Sequence, residues 1–128
     1  MQVDAIIDTN IIIDLLNNVS QAVIWHQSQS NHLLAITPIN WFETLEGANN
    51  AFESSRALRL LKRFHIEHPT DTDNDWAMLQ YSRFYLSHGI DWEDCMIASV
   101  AIRLSIPLYT RNIKHFNILP NLNIQQPY

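Results

Sequence analysis

This sequence has few of the residues that mark secreted, fibrous or membrane-spanning proteins. Its 128 residues include one cysteine and two glycines, and no apolar run approaches the roughly 20 residues of a membrane-spanning helix. Because Cys95 is alone, an internal disulfide is excluded, and we expect a cytoplasmic protein without a membrane association. No basic segment precedes the first apolar stretch, so no secretory signal is predicted.

Charged residues are also scarce, and acidic residues outnumber basic ones by 13 to 8. The net charge of −5 argues against a nonspecific nucleic-acid coat, because such a coat needs a positive overall field. It leaves open an enzyme that holds cations in an acidic pocket and contacts phosphates locally. Arg56, Arg59, Lys62 and Arg63 cluster at helical spacing, which is more typical of a solvated helix face than of a phosphate track.

Apolar residues are abundant, and their pattern predicts an α/β fold in a single domain over residues 1–128. Short apolar segments predict strands at residues 2–7, 33–37, 65–69, 106–110 and 124–128. Amphipathic segments predict helices at residues 11–17, 21–30, 39–50, 54–64, 75–88 and 93–104. This alternation is typical of a short, mostly parallel central sheet between helices.

Several residues are predicted to shape the helices. Ser20 caps the second helix, which has Val23, Ile24 and Trp25 towards its apolar side. Pro38 suits the first turn of the third helix. Asp73 or Asn74 is expected to cap the helix at 75–88, and Gly89 to end it.

Asp8, Thr9 and Asn10 lie between two apolar runs, directly after the first predicted strand. In parallel α/β sheets, functional groups collect at the carboxyl ends of strands, so Asp8 is predicted to lie where a metal or phosphate binds. Capping of the next helix by Asp8 or Thr9 is the simpler role. The two roles are compatible.

Four other polar residues occupy comparable positions and are predicted to converge with Asp8. Glu43 lies in the helix after the second strand, Asp94 opens the helix before the strand at 106–110, and Asn112 and His115 follow that strand. Taken singly, such carboxylates are more often structural. Asp94 suits a helix N-terminus, and neighbouring Asp91 suits a helix cap.

The joint placement of three carboxylates points to metal chemistry. Carboxylates in one pocket repel one another, and a divalent cation relieves that repulsion. Oxygen ligands without a cysteine site favour Mg²⁺ or Mn²⁺ over zinc. Such an ion activates a bound water and neutralises charge on a phosphate oxygen, so phosphodiester hydrolysis is the predicted reaction.

The chain resembles the PIN-domain family, and most closely its VapC-type toxins from bacterial toxin–antitoxin pairs. The motifs that carry the resemblance are residues 6–10, 39–43, 94–99 and 108–116. The resemblance implies a PIN-like three-layer α/β/α sandwich and a Mg²⁺- or Mn²⁺-dependent endoribonuclease. Asp8, Glu43 and Asp94 match the family's first three acidic positions and are the expected metal ligands.

The fourth acidic position of the family departs from the pattern here. It falls on Asn112 or three residues later, on His115. Asn112 is expected to act in catalysis through its carbonyl oxygen, and a single tightly held cation is expected in the absence of RNA. Other side chains are expected to orient the metal ligands or to contact a phosphate of the RNA. They are Thr9, Asn10, Thr110, Arg111 and His115.

The resemblance also implies partners. These are an RNA substrate, a second copy of the chain in a homodimer, and a cognate antitoxin that inserts a basic side chain into the acidic pocket. Two alternatives stay open at this point. One is a PIN nuclease that processes RNA without a toxin role, and the other is a catalytically weakened PIN binding module.

Overall fold

The structure, a computed structural model, describes residues 2–128 as a parallel sheet between helices. The five strands of this region are β1 (Ala5–Ile7), β2 (Leu34–Ile36), β3 (His65–Ile66), β4 (Leu108–Tyr109) and β5 (Ile124–Gln125). Their order across the sheet is β3-β2-β1-β4-β5, and every neighbouring pair runs parallel. The predicted α/β fold is confirmed, with β1 at the centre of the sheet.

Seven helices connect and cover the strands within this region. They are α1 (Thr9–Leu16), α2 (Ser20–Ser28), α3 (Pro38–Glu46), α4 (Ala51–Leu61), α5 (Asp71–His88), α6 (Trp92–Leu104) and α7 (Ile113–Phe116). Across residues 2–128, no helix combines the length and the apolar character needed to cross a bilayer.

The core consists of two apolar clusters on opposite faces of the sheet. Side chains alternate between faces along a strand, and β1 divides accordingly. Ile6 packs with residues of α5, α6 and α7, whereas Ala5 and Ile7 pack with residues of α1 to α4. The expected three-layer α/β/α arrangement follows from this division.

The paired strands are shorter than the predicted ones, because burial extends beyond backbone pairing. Val3 and Ile106 are buried beside the sheet but lie outside β1 and β4. Apolar character therefore marks the buried segment and not the ends of the hydrogen-bonded ladder.

Two predicted helix boundaries were wrong because local capping groups decide them. The third helix ends at Glu46 and not at residue 50, with Gly47 as its C-cap. The side chain of Asn50 then accepts a hydrogen bond from the backbone N–H of Glu53, so α4 begins at Ala51 and not at residue 54.

The start of α5 and the inner face of α2 were also predicted wrongly. The Thr70 hydroxyl accepts a hydrogen bond from Asp73 N–H, and the Asp73 carboxylate accepts one from Thr70 N–H, so the helix begins at Asp71. In α2, Ile24 is 67% exposed, and Ala22 joins Trp25 on the buried side. The prediction for Gly89 is confirmed by its left-handed backbone at φ 61°.

Candidate active site

The centre of the sheet places Asp8 and Thr110 side by side. Asp8 directly follows β1 and Thr110 directly follows β4, and these strands are parallel neighbours. The backbone N–H of Asp8 donates to the carbonyl of Tyr109 at 2.8 Å. Two strand ends thus fix the positions of a carboxylate and a hydroxyl that are far apart in sequence.

Asp8 is both a helix cap and a buried carboxylate of the site. Its side chain is nearly inaccessible, with the residue 7% exposed. Oδ1 accepts a hydrogen bond from the backbone N–H of Thr9 at 2.8 Å, and Oδ2 accepts one from the hydroxyl of Thr110 at 2.8 Å. Both donors are neutral, so they orient the carboxylate without cancelling its charge.

Glu43 reaches the same region from α3 through a chain of hydrogen bonds. The hydroxyl of Thr9 donates to Glu43 Oε1 at 2.6 Å. The side-chain amide of Asn40 donates both to Thr9 Oγ1 at 3.1 Å and to the carbonyl of Ile7 at 3.2 Å. Asn40 therefore joins α3 to the end of β1, a role that the sequence analysis missed.

Asp94 enters from α6, and the imidazole of His115 from α7 lies against it. His115 Nδ1 lies 2.9 Å from Asp94 Oδ2, and the Asp94 side chain is 13% exposed. Asp91, at the N-cap of α6, contributes a further carboxylate close to both residues. The sequence analysis had considered Asp91 only as a cap.

The pKa values indicate that the three carboxylates share one poorly solvated region. Burial raises the pKa of Asp94 to about 8, helped by repulsion from Asp8, Asp91, Glu43 and other acids. Burial also raises the pKa of Asp8, against the lowering effect of its hydrogen bonds. For Glu43, burial is again the main cause of a raised pKa, and the charge of Asp8 adds to it.

This donor set fits a hard divalent cation. Buried carboxylates that raise one another's pKa are destabilised as anions, and a cation among them reverses that penalty. The hydrogen bonds to neutral hydroxyl and backbone donors resemble the outer contacts that orient metal ligands in proteins. Asp8, Glu43 and Asp94 would hold such an ion.

The other predicted residues lie around Thr110, which is fully buried. The side-chain amide of Asn10 donates to Thr110 Oγ1 at 3.3 Å, and the backbone N–H of Asn112 donates to the same oxygen at 2.9 Å. Asn10 Oδ1 accepts from the backbone N–H of Arg111 at 3.4 Å. The loop after β4 is thereby tied to the Asp8 region through its backbone.

The side chains of Arg111 and Asn112 are not bonded to the three carboxylates. The Arg111 guanidinium pairs with Asp14 at 2.7 Å, and the hydroxyl of Tyr128 donates to the same Asp14 oxygen at 2.6 Å. Asn112 stands exposed at the N-cap of α7, and its side chain makes no capping hydrogen bond.

A protein-family model described as the PIN domain matches residues 5–119. The chain belongs to the PIN-domain family. Ribonuclease VapC1 of Haemophilus influenzae strain R2866 is 31% identical over 130 residues, which cover 93% of this chain and 94% of that relative.

Solved structures of toxin–antitoxin complexes share the fold. A toxin–antitoxin complex from Klebsiella pneumoniae has a chain that matches with a TM-score of 0.76 at 26% identity, covering 98% of both chains. VapBC-1 from nontypeable Haemophilus influenzae also matches with a TM-score of 0.76, at 28% identity, covering 96% of this chain and 97% of that chain. The resemblance inferred from the sequence motifs is confirmed.

Proposed function

We propose that this PIN-domain protein is a Mg²⁺- or Mn²⁺-dependent endoribonuclease that hydrolyses RNA phosphodiester bonds as the toxin of a toxin–antitoxin pair in the cytoplasm. The observation that carries the proposal is the meeting of Asp8, Glu43 and Asp94 in one buried region. The ribonuclease name of the Haemophilus relative supports RNA as the substrate.

The proposed role of each residue in the site follows from its hydrogen bonds. Asp8, Glu43 and Asp94 hold the cation, while Thr9 and Thr110 orient two of these carboxylates by hydrogen bonds. When bound, a divalent cation supplies an activated water and neutralises charge on the phosphate.

Residues around the three carboxylates, here called the rim of the site, are proposed to contact the RNA substrate. Asn112 offers an amide oxygen from its exposed position at the start of α7. Asn10 and Arg111 lie beside it, and Arg111, whose side chain is 46% exposed, can exchange Asp14 for an RNA phosphate. His115 lies on the Asp94 side of this rim.

A cognate antitoxin and a second copy of the chain are the proposed protein partners. The structural relatives are toxin–antitoxin complexes, and an inhibitor with a basic side chain would complement the acidic pocket. Exposed Met78, Leu79 and Leu86 on α5 offer an apolar surface for a homodimer. Light scattering at about 100 μM, a concentration at which a dimer with a micromolar Kd is mostly assembled, should give twice the monomer mass; a monomer would refute the dimer.

The activity is tested by incubating a panel of RNAs with the wild type, Asp8→Asn and the control variant Asp75→Asn, with Mg²⁺ or Mn²⁺, and mapping the transcript ends. Asp75 is an exposed acid on α5. We expect cation-dependent cleavage by the wild type and the control and none by Asp8→Asn. Cleavage by Asp8→Asn at the wild-type rate would reject the assignment, and cleavage by none of the three proteins would favour the weakened binding module.

A further inference from the structure

Asp14 of α1 joins two groups that come from distant parts of the chain. Its Oδ2 atom accepts a hydrogen bond from Arg111 Nη1 at 2.7 Å and another from the hydroxyl of Tyr128 at 2.6 Å. Arg111 lies in the loop after β4, and Tyr128 follows β5. The Asp14 side chain is 13% exposed, so these two donors replace much of the water that would otherwise solvate its charge.

The backbone of Arg111 is tied to the Asp8 region, whereas its guanidinium is drawn away along α1. Its N–H donates to Asn10 Oδ1 at 3.4 Å, and it directly follows Thr110, whose hydroxyl holds Asp8. Asp14 lies further along α1, about 9 Å from Asp8 at about 1.5 Å of helix per residue. The Arg111 side chain is 46% exposed, so the guanidinium has room to turn from Asp14 to a phosphate.

Aromatic packing holds the Tyr128 hydroxyl against Asp14. The ring centroid of Tyr128 lies 6.3 Å from that of Trp25, which packs edge-on against Tyr109 of β4 at 5.0 Å. Burial and the hydrogen bond to Asp14 raise the pKa of Tyr128, so its hydroxyl stays protonated and remains a donor. Tyr128 can therefore keep its hydrogen bond to Asp14 after Arg111 leaves.

The two contacts of Asp14 have opposite effects on the release of Arg111. The Asp14 carboxylate attracts the guanidinium and competes with a phosphate for it. The Tyr128 hydrogen bond is worth more to an unpaired carboxylate than to one already paired with arginine, because a poorly solvated charge without a partner is the costliest state. Tyr128 therefore lowers the free-energy cost of separating Arg111 from Asp14.

We propose that Asp14 and Tyr128 are positioning residues for RNA binding by Arg111. Asp14 holds the guanidinium along α1 in the free protein, and Tyr128 is the partner that Asp14 keeps when Arg111 turns to an RNA phosphate. The inference rests on the proposed function, in which Arg111 contacts the substrate. It adds that two residues outside the rim of the site set the affinity for RNA.

The test compares KM and kcat for the RNA of the panel that the wild type cleaves fastest. The variants are Asp14→Asn, which removes the charge that attracts Arg111, and Tyr128→Phe, which removes only the hydroxyl. Asp75→Asn and Tyr85→Phe are the matched controls, because Asp75 and Tyr85 are exposed on α5. The substitutions at Asp14 and Tyr128 are also made in an Arg111→Gln background, and circular dichroism and thermal melting verify the fold of every protein.

We expect Asp14→Asn to lower KM and Tyr128→Phe to raise it, each by about threefold, a size typical of a partly exposed ion pair. The value of kcat should change little, because a contact made equally in the ground state and the transition state alters KM alone. In the Arg111→Gln background both shifts of KM should disappear. The controls should match the wild type.

Shifts of KM in the same direction in Asp14→Asn and Tyr128→Phe would overturn the proposal, because a purely structural role makes both changes harmful. Shifts that persist in the Arg111→Gln background, or no shift in either variant, would also overturn it. These results leave the proposed nuclease intact, since all of them require cleavage by the wild type. A wild type that cleaves no RNA would reject the proposed function and this inference with it.

Discussion

At the scale of single residues, the site is governed by how its buried charges are held. Asp8 and Glu43 accept hydrogen bonds from Thr110 and Thr9, which fix their orientation and leave their charge uncompensated. Asp94 has an imidazole beside it, but its pKa is still raised to about 8. Burying these carboxylates as anions costs stability, and a cation bound among them, as proposed, would recover that stability.

Asp94→Asn should stabilise the metal-free protein at alkaline pH. The unfolded chain loses the Asp94 proton near the ordinary pKa of 3.8, whereas the folded chain keeps it to about pH 8. Asp94 therefore lowers the free energy of unfolding as pH rises through that window, and the loss is complete above it. In urea denaturation with a chelator present, the free energy of unfolding of the variant should exceed that of the wild type by about 1 to 3 kcal/mol at pH 8.

The stability advantage of Asp94→Asn should shrink as the pH is lowered through the ordinary pKa of 3.8, below which Asp94 is protonated in both the folded and the unfolded chain. Asparagine preserves an oxygen for His115, so the loss of that contact is small. An advantage that is equal at acid and alkaline pH would show that burial of the Asp94 charge does not set the stability of the site.

Thr110→Val should damage catalysis more than folding. Valine keeps the shape of threonine but removes the hydroxyl that holds Asp8 Oδ2, and loss of such an orienting group typically costs about 10- to 100-fold in metal affinity or activity. Cleavage kinetics and thermal melting measure the two effects.

The matched control for Thr110→Val is Thr44→Val. Thr44 is 2% exposed, and its hydroxyl donates to the carbonyl of Asn40 and to no carboxylate. Equal rate losses in the two variants would indicate a general packing defect and not a role for the Thr110 hydroxyl.

The sequence revealed the carboxylates better than it revealed what supports them. Asp8 was predicted as a site residue because it follows an apolar run directly, and Glu43 and Asp94 because they lie in helices beside predicted strands. Asn40 gave no comparable signal, since its contacts with Ile7 and Thr9 cross more than 30 positions of the chain. Its one local clue was its position three residues after Thr37, the spacing of a capping box.

At the scale of elements, the sequence predicted the order of strands and helices along the chain but not the residues at which the helices begin and end. Short apolar segments predicted every strand, because the central strands β1 and β2 are fully buried and the outer strands β3 and β5 are still partly buried. The helix ends depended on Thr70, Asn50 and Gly47, which compete with equally plausible neighbours such as Asp73. The four residues of α7 went unpredicted because so short a helix has no amphipathic period to read.

Asn40→Ala should loosen the junction between α3 and the strand end. Asn40 is fully buried, and its Oδ1 accepts hydrogen bonds from the backbone N–H and the hydroxyl of Thr37. Without it these buried groups lack partners, so we expect the free energy of unfolding to fall by about 2 to 4 kcal/mol. Chemical denaturation measures the loss.

Asn49→Ala is the control for that prediction, because Asn49 is exposed and its amide makes one long contact of 3.4 Å with Glu53. Its effect should stay within about 0.5 kcal/mol. If Asn40→Ala is as mild as this control, Asn40 does not join α3 to β1.

At the scale of the whole molecule, the parallel sheet is what turns distant residues into a site. Asp8 precedes α1, Glu43 lies in α3 and Asp94 lies in the first turn of α6. Their charges nevertheless act on one another. The chain as a whole is also acidic, at −5, so RNA is not attracted by its overall field. Under the proposed function, a cation in the acidic region would offset this negative charge where an RNA phosphate approaches.

The central claim is that these three carboxylates act as one unit around a cation. The measurement is the rate of RNA cleavage by Asp8→Asn, Glu43→Gln and Asp94→Asn and by the Asp8→Asn/Asp94→Asn double variant. Residues that act as a unit show losses that do not add, so we expect the double variant to be no slower than the slowest single variant. Losses that multiply in the double variant, or a single variant that cleaves at the wild-type rate, would contradict the claim.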